Sequence, residues 1–254
     1  MRKPIIAANW KLHKNRAEAK EFLNEFREKV KYISGVEIVL GPTFTTLDTV
    51  ISGTEGTEIN VAAQNVYYEQ EGAFTGEIAP NMLSELGCDY VIVGHSERRH
   101  VFGENDCDVN KKVHAVFDND MTPILCIGET EDERNGGETQ SVLKRQLESG
   151  LDGLNPSQAS EMVVAYEPVW AIGTGESASP EDAQDGCRFS RELVSEVFDE
   201  ETGEKVRLQY GGSIKPHNVE ELMSLPDIDG GLVGGASLDP ESFSDIISIT
   251  EELY

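Results

Sequence analysis

Short runs of apolar residues alternate along the chain with longer segments in which apolar and polar residues repeat at helical spacing. The apolar runs predict eight strands: Ile5–Asn9, Glu37–Leu40, Asn60–Gln64, Tyr90–Val93, Thr122–Ile127, Met162–Tyr166, Val206–Tyr210 and Gly231–Val233. The periodic segments predict eight helices: Arg16–Tyr32, Thr45–Ser52, Pro80–Leu86, Asp106–Asn119, Gln140–Leu151, Pro180–Phe198, Lys215–Ser224 and Pro240–Ile249. Nearly continuous apolar strands indicate parallel pairing with both faces covered. Eight such units predict an α/β fold, a closed barrel of eight parallel strands surrounded by helices, with function on the loops that follow the strands.

The length of the chain, 254 residues, is close to the roughly 250 that are typical of such a barrel. No linker rich in Pro, Gly or Ser divides it, so we expect a single catalytic domain over residues 1–254. No apolar run approaches the roughly 20 residues that span a bilayer. The first residues carry too few apolar side chains before Asn9 and Lys11 for a signal peptide, which favours a cytoplasmic protein.

Charge narrows the choice of partners. The chain has 21 basic and 47 acidic residues, a net charge of −26, which argues against nucleic acid and against a membrane surface as partners. The acidic surface has two interpretations, a solvated surface that keeps the protein soluble or adaptation to a salty cytoplasm. Four widely spaced cysteines without a C-x-x-C motif are typical of reduced thiols: Cys88, Cys107, Cys126 and Cys187.

The segment after the sixth strand holds the first candidate for chemistry. Glu167 stands where that strand ends, and Pro168 prevents the strand from continuing. The following apolar residues end at glycines that provide backbone freedom, which predicts a lid that moves as a unit. The predicted lid comprises Pro168, Val169, Trp170, Ala171, Ile172, Gly173, Thr174 and Gly175. An acid at the root of a lid is a candidate base in a site that closes against water.

Two further motifs follow strands one and four. Asn9 and Lys11 lie just past the first strand, where both side chains could point into the barrel mouth. Alone, they are more often a turn Asn and a solvated Lys. His95 precedes a short helix that carries Ser96 and Glu97 in its first turn. A helix N-terminus lowers the pKa of a histidine, so a neutral imidazole could donate a hydrogen bond there. Alone, this motif is more often a structural His beside a capping Ser.

Glycine pairs follow strands seven and eight, at Gly211-Gly212-Ser213 and Gly234-Gly235. Either pair alone is usually a plain turn, but together they could direct backbone N–H groups at an anion, since such barrels often hold phosphate there. Residues 173–178 also fit the G-x-G-x-x-G/A dinucleotide pattern, yet no strand immediately precedes them. His100 is not at the i, i+4 spacing from His95, and no H-E-x-x-H occurs. We therefore predict no cofactor and no metal.

Together these motifs, Asn9-Trp10-Lys11, Gly94-His95-Ser96-Glu97-Arg98-Arg99 and Ala165 to Gly175, closely resemble those of the triosephosphate isomerase family. The resemblance covers nearly the whole chain, from Asn9 to Ser237. It implies a TIM barrel that interconverts dihydroxyacetone phosphate and D-glyceraldehyde 3-phosphate through an enediol(ate), in glycolysis and gluconeogenesis.

The resemblance also implies roles for individual residues. Glu167 would be the base, and His95 and Lys11 would stabilise charge on the substrate oxygens, helped by Asn9. Glu97 would orient Lys11 or shuttle protons. Substrate binding would involve Asn9 and Lys11 together with backbone amides of Gly173, Ser213, Gly234 and Gly235.

The loop from Gln64 to Glu77 matches the family's subunit-docking loop, so Thr75 would reach the partner's site in a homodimer or a higher assembly. Arg98 and Arg99 are expected to pair structurally with Glu77 or Glu104.

The chain departs from the family's usual wording at Leu12-His13, where Met-Asn is common, and at Glu176-Ser177, where Lys-Thr is common. Glu176 adds negative charge beside the predicted lid hinge. The alternatives are another phosphate-binding barrel isomerase, or a barrel that binds without catalysis.

Overall fold

The computed structural model describes residues 2–171 and 178–254. The strands are β1 (Ile5–Asn9), β2 (Glu37–Gly41), β3 (Ile59–Ala63), β4 (Tyr90–Val93), β5 (Thr122–Ile127), β6 (Val163–Tyr166), β7 (Arg207–Tyr210) and β8 (Gly230–Val233). Each pairs in parallel with its neighbours in chain order, and β1 pairs with β8, with Ile5 opposite Gly230. The predicted closed (β/α)8 barrel is therefore confirmed, with strand ends that differ from the prediction by at most one residue.

The helices of the described residues are α1 (Arg16–Val30), α2 (Phe44–Thr54), α3 (Pro80–Leu86), α4 (Ser96–His100), α5 (Asp106–Phe117), α6 (Glu131–Asn135), α7 (Thr139–Leu151), α8 (Pro156–Glu161), α9 (Pro180–Val197), α10 (Glu200–Lys205), α11 (Val219–Met223) and α12 (Pro240–Leu253). The sequence pattern did not predict α6, α8 or α10. Helices of five or six residues are too short to display an apolar period, and α6 buries none of its residues.

Two helices, α9 and α12, begin at the residues that the sequence predicts, Pro180 and Pro240. Ser179 caps α9 in a reciprocal capping box with Asp182. Asp239 accepts a hydrogen bond from the backbone N–H of Ser242 at the start of α12. The seventh predicted helix is shorter than expected: α11 begins at Val219, after a turn braced by the side chain of Asn218. That turn lies beside the barrel mouth.

Apolar side chains pack in two layers. Small and branched residues, together with Tyr90, fill the barrel interior: Ile5, Ala7, Val39, Ala62, Ile92, Ile124, Cys126, Val163, Ala165 and Leu232. Along each strand, every second residue points outward and packs against the helices. On β6, for example, Ala165 belongs to the barrel interior and its neighbour Tyr166 packs outward. Cys126 is fully buried near the end of β5. This close packing fixes the strand ends, so the loops that follow them start from defined positions.

Ion pairs occupy the N-terminal end of the barrel. Arg207 at the start of β7 contacts Glu37 at the start of β2, with 2.5 Å between Nη1 and Oε2. The hydroxyl of Tyr90 donates a hydrogen bond to the same carboxylate. These polar groups stabilise the end away from the predicted site. No helix among residues 2–171 and 178–254 is long and apolar enough to cross a bilayer.

Candidate active site

A cavity of about 450 Å³ opens at the carboxyl ends of the strands. The structure brings eight of the predicted residues to its wall: Asn9, Lys11, His95, Glu167, Ala171, Ser213, Gly234 and Gly235. They come from the last residue of β1 and from the loops after β1, β4, β6, β7 and β8, far apart in sequence. The fold therefore brings these residues to one rim of the barrel, while their roles in catalysis and binding stay predictions.

Glu167 is almost completely buried, with 2% of its surface exposed. Its Oε1 lies 3.0 Å from His95 Nε2, and its Oε2 accepts a hydrogen bond from the backbone N–H of Ser96 at 3.0 Å. Burial alone would raise the pKa of Glu167, but His95 and the Ser96 N–H lower it further than burial raises it. The carboxylate is thus ionised at neutral pH and can accept a proton.

Two glycines make room for Glu167. A Cβ on Gly128 would lie 1.7 Å from the Glu167 carbonyl oxygen, and one on Gly211 would lie 2.7 Å from Glu167 Cγ. The backbone N–H of Glu167 donates to Ile127 O on β5 at 2.7 Å, and that of Gly211 donates to Tyr166 O at 2.7 Å. The root of the predicted lid is therefore held between β5 and β7.

His95 is the N-cap residue of α4, and its Nδ1 accepts a hydrogen bond from the backbone N–H of Glu97 at 3.2 Å. An Nδ1 that accepts carries no proton, so we infer that Nε2 bears the hydrogen and faces Glu167. The expectation that the helix N-terminus lowers the His95 pKa is wrong in this arrangement. Burial lowers this pKa, but the Glu167 carboxylate raises it by more. The helix end thus fixes the tautomer, while Glu167 sets the direction of the pKa change.

Lys11 follows β1 with a positive φ of 50°, which is uncommon for a residue with a side chain. Its backbone N–H donates to Asn9 Oδ1 at 3.0 Å, and its carbonyl accepts from Gln64 Nε2 at 2.9 Å. The ammonium Nζ lies 2.8 Å from Glu97 Oε1. Glu97 therefore stands where it was expected, next to Lys11, and the buried Asn9 supports the same turn.

The loop after β1 is tied to the loop after β8. Trp10 Nε1 donates to Ser237 O at 3.2 Å, and Lys14 Nζ donates to Leu238 O at 2.7 Å. A Cβ on Gly234 would lie 3.7 Å from Lys11 Cε, so the Lys11 stem passes beside the glycine pair. The ammonium group and the predicted phosphate-binding loop are therefore neighbours.

Asn218 braces the loop after β7. Its Oδ1 accepts from the backbone N–H of Lys215 at 2.8 Å, and its Nδ2 donates to Ser213 O at 2.9 Å. Asn218, Lys215 and His217 line the cavity, although the sequence analysis did not select them. Their position directly after a strand, next to the Gly-Gly pair, could have identified them from the sequence.

The first residues of the predicted lid are described. After Pro168, residues Val169–Ala171 form a 3₁₀ helix. Trp170 Nε1 donates to the Oε1 of the fully buried Glu129 at 2.9 Å, and Tyr166 OH donates to the same atom at 3.2 Å. Burial raises the pKa of Glu129, while the Trp170 hydrogen bond acts in the opposite direction. Arg134 stacks over the Trp170 ring at 4.1 Å. The lid root is thus anchored to the loop after β5.

The remaining lid residues, Ile172, Gly173, Thr174 and Gly175, lie outside the described residues. Their closing motion and the Gly173 amide contact stay predictions. The exposed Thr75 does not line the cavity of its own chain, and its role also stays a prediction. Over residues 2–171 and 178–254, no cluster of three His, Cys, Asp or Glu side chains is placed to hold a metal.

The two arginines after His95 have different partners. Arg98 Nε lies 3.2 Å from Glu104 Oε2, as predicted. The predicted pairing of Arg99 with Glu77 or Glu104 is wrong: Arg99 Nη1 lies 2.5 Å from Asp106, and its Nε donates to Gly94 O at 2.7 Å. The buried ammonium of Lys112 takes the other oxygen of Glu104, which leaves Asp106 at the start of α5 as the partner of Arg99.

Fold and site together define a class: a (β/α)8-barrel enzyme with a carboxylate, an imidazole and an ammonium group at the carboxyl ends of its strands. Comparison with known proteins narrows this class. The model of the triosephosphate isomerase family matches residues 4–250, and the chain belongs to that family.

Curated relatives align with this chain over almost their full lengths. Triosephosphate isomerase of Latilactobacillus sakei subsp. sakei is 49% identical over 251 residues, covering 99% of this chain and 100% of the relative. That of Symbiobacterium thermophilum is 52% identical over 252 residues, covering 99% and 98%. That of Carboxydothermus hydrogenoformans is 51% identical over 247 residues, covering 97% and 98%.

Proposed function

We propose that this chain interconverts dihydroxyacetone phosphate and D-glyceraldehyde 3-phosphate, as an intramolecular aldose–ketose isomerase of glycolysis and gluconeogenesis. Family membership supports this reaction. The observation that carries the mechanism is the meeting of Glu167, His95 and Lys11 at one cavity. We further propose that the whole chain acts as one catalytic domain in the cytoplasm.

In this proposal Glu167 removes the proton from the carbon next to the substrate carbonyl, which gives the enediol(ate), and returns a proton to the adjacent carbon. The hydroxyl of the substrate loses its proton and becomes the new carbonyl, and the former carbonyl oxygen gains a proton. The lowered pKa of Glu167 keeps it ionised before it abstracts the proton. Because both halves of the reaction are proton transfers, neither a cofactor nor a metal is required.

His95 would serve as the hydrogen-bond donor to the substrate oxygens. Once Glu167 has accepted a proton, the carboxylate that raises the His95 pKa is neutral. Burial, which is the largest influence on this pKa, and the nearby Lys11 charge then lower it, and they outweigh the smaller effect of Glu97, which raises it. The imidazole would therefore stay neutral and donate from Nε2 when negative charge develops on the substrate. Lys11 would supply positive charge and Asn9 a polar contact, with Glu97 orienting the Lys11 ammonium.

The phosphate would bind at the loops after β7 and β8. Ser213, Gly234 and Gly235 of these loops line the cavity, and a Cβ on Gly235 would meet no atom within 4 Å. Backbone N–H groups of these residues and of Gly173 would hold the phosphate, and the lid would exclude water from the intermediate.

A coupled assay on D-glyceraldehyde 3-phosphate tests the reaction, with a glycerol-phosphate dehydrogenase consuming the ketose product. Wild-type protein should be active, whereas the isosteric Glu167→Gln variant should lose almost all activity. Reaction in D₂O should place deuterium on the carbon that receives the proton. An inactive wild type would leave the binding-only alternative, and activity solely on a different sugar phosphate would favour another barrel isomerase.

We also propose a homodimer, or a higher assembly built from it. Large apolar side chains are exposed on loops at one end of the barrel: Leu12 is 92% exposed, Val101 71% and Phe102 68%. Thr75 lies on the neighbouring loop after β3. Exposed apolar groups concentrated in this way are typical of an interface.

Sedimentation of wild type and Val101→Asp tests this assembly. The variant should shift toward monomer. Tyr32→Asp is the matched control, because Tyr32 is 87% exposed but follows α1 at the other end of the barrel. A monomeric wild type would contradict the proposed interface.

A further inference from the structure

The charge of the chain conflicts with the substrate class that we propose. A net charge of −26 repels a phosphate dianion. Of the residues that the structure describes, five with titratable side chains line the cavity: Lys11, His95, Glu167, Lys215 and His217. Lys11 is paired with Glu97 at 2.8 Å, and Glu167 is paired with His95 at 3.0 Å. The two catalytic pairs therefore present little uncompensated positive charge to an anion that approaches from solvent.

Lys215 differs from these groups. It is exposed, lines the cavity and lies two residues after Ser213. Within residues 2–171 and 178–254, no carboxylate oxygen lies within 4.0 Å of its ammonium nitrogen. The nearest acids along the chain, Glu220 and Glu221, belong to the first turn of α11. Lys215 therefore lines the cavity, and no direct ion pair among the described residues compensates its positive charge.

The position of Lys215 is also defined by the fold. The Asn218 side chain accepts a hydrogen bond from the Lys215 backbone N–H at 2.8 Å and donates one to the Ser213 carbonyl at 2.9 Å. These two hydrogen bonds fix the conformation of the turn. The base of the Lys215 side chain is thus fixed next to the loop that we assign to phosphate binding. Its stem remains free to extend into solvent, where an incoming anion would first meet the protein.

We propose that Lys215 guides the substrate phosphate into the cavity against the net negative charge of the protein. This inference rests on the proposed function. It assigns Lys215 an electrostatic role in capture, separate from the proton transfers by Glu167 and from the final phosphate contacts. Variants of Lys215 should therefore change kcat/KM while leaving kcat nearly unchanged.

The expected size follows from Coulomb attraction across water. An ammonium group about 8 Å from a dianion changes its capture by about fivefold at low ionic strength. Near 1 M salt the Debye length falls to about 3 Å, and most of this attraction is screened. Lys215→Gln should accordingly lower kcat/KM by about fivefold in dilute buffer and by less than about twofold near 1 M KCl.

The experiment measures kcat and KM for D-glyceraldehyde 3-phosphate from about 0.02 M to about 1 M KCl. Lys215→Glu should show a larger low-salt loss, about 20-fold, and Lys215→Arg should restore the wild-type salt dependence. Lys205→Gln is the matched control. It changes the net charge by the same amount, but exposed Lys205 precedes β7 at the opposite end of the barrel and is paired with Glu201.

The comparison is made between variants at the same salt concentration, so any effect of salt on the fold common to all proteins cancels. Equal kcat/KM for Lys215→Gln and Lys205→Gln in dilute buffer would overturn the inference while leaving the isomerase function intact. A loss that persists unchanged near 1 M KCl would also overturn it, because it would indicate a direct phosphate contact. An inactive wild type would instead remove the proposed function.

Discussion

Gly211→Ala tests the placement of Glu167 without altering any polar group. Gly211 directly follows β7, and its φ lies outside the left-handed region, so its backbone accepts an alanine. A Cβ at this position would lie 2.7 Å from Glu167 Cγ. Carbon atoms in favourable contact are about 3.5–4.0 Å apart, so one group must move by about 1 Å.

The side chain of Glu167 is the group that yields. The backbone of Gly211 is held by its 2.7 Å hydrogen bond to Tyr166 O, between neighbouring strands. The Glu167 side chain lines the cavity and is held mainly by His95 and Ser96. A displacement of about 1 Å at a reacting group can cost about 100-fold in rate. We therefore expect kcat to fall about 100-fold, equivalent to about 2.7 kcal/mol of transition-state stabilisation.

The coupled assay measures this loss, and thermal melting reports whether the variant is folded. Gly35→Ala is the control, because its new Cβ would meet only the flexible side chain of Glu251, 3.3 Å from Cγ, away from the cavity. A folded Gly211→Ala protein with kcat within about threefold of wild type would refute the reasoning. The exact position of Glu167 would then not control the proton transfer.

Three other predictions follow from the site and the charge. Glu167→Asp retracts the base by one methylene and should lower kcat about 100-fold in the same assay; wild-type turnover would mean that Glu167 is not the base. The Glu167–His95 pair stabilises the fold above pH 4.5, because the Glu167 pKa is lowered, and below pH 6.5, because the His95 pKa is raised. This stabilisation is lost as the pH falls through the folded pKa of Glu167 or rises through the folded pKa of His95. The difference in melting temperature between wild type and Glu167→Gln should therefore be largest between pH 4.5 and pH 6.5. A difference in melting temperature that does not change with pH would contradict the pairing. Repulsion within a chain of net charge −26 should make the melting temperature rise between low and molar KCl, and an unchanged value would remove salt adaptation.

The sequence predicted the barrel because its signals are local. Each strand is a short apolar run, and the capping residues of α9 and α12 lie within four residues of the turns that they stabilise. The same locality explains the omission of α6, α8 and α10. These helices are too short to show a period, and their positions depend on the longer elements around them.

The residues of the candidate site could be predicted where they belong to short sequence motifs. Supporting residues that come from distant parts of the sequence were harder to predict. Gln64 supports Lys11 from 53 positions away, and Glu129 anchors Trp170 from 41 positions away. Glu129 follows β5 as Glu167 follows β6, so its position after a strand was an available signal. The partner of Arg99 was not available in this way, because the choice between Glu104 and Asp106 depends on where buried Lys112 lies.

The limit of prediction from sequence is clearest for the charges, because a sequence gives the number of charged residues but not which of them pair in the fold. The count alone predicts repulsion of a phosphorylated substrate, and the helix motif alone predicts a lowered pKa for His95. In the folded chain Glu167 reverses the direction of the His95 pKa, and Glu97 compensates Lys11. Lys215, which no motif distinguished, is left on the cavity wall without a direct carboxylate partner among the described residues. The attraction that a dianion meets at the barrel mouth therefore depends on which cations the fold leaves uncompensated, and the net charge does not determine this.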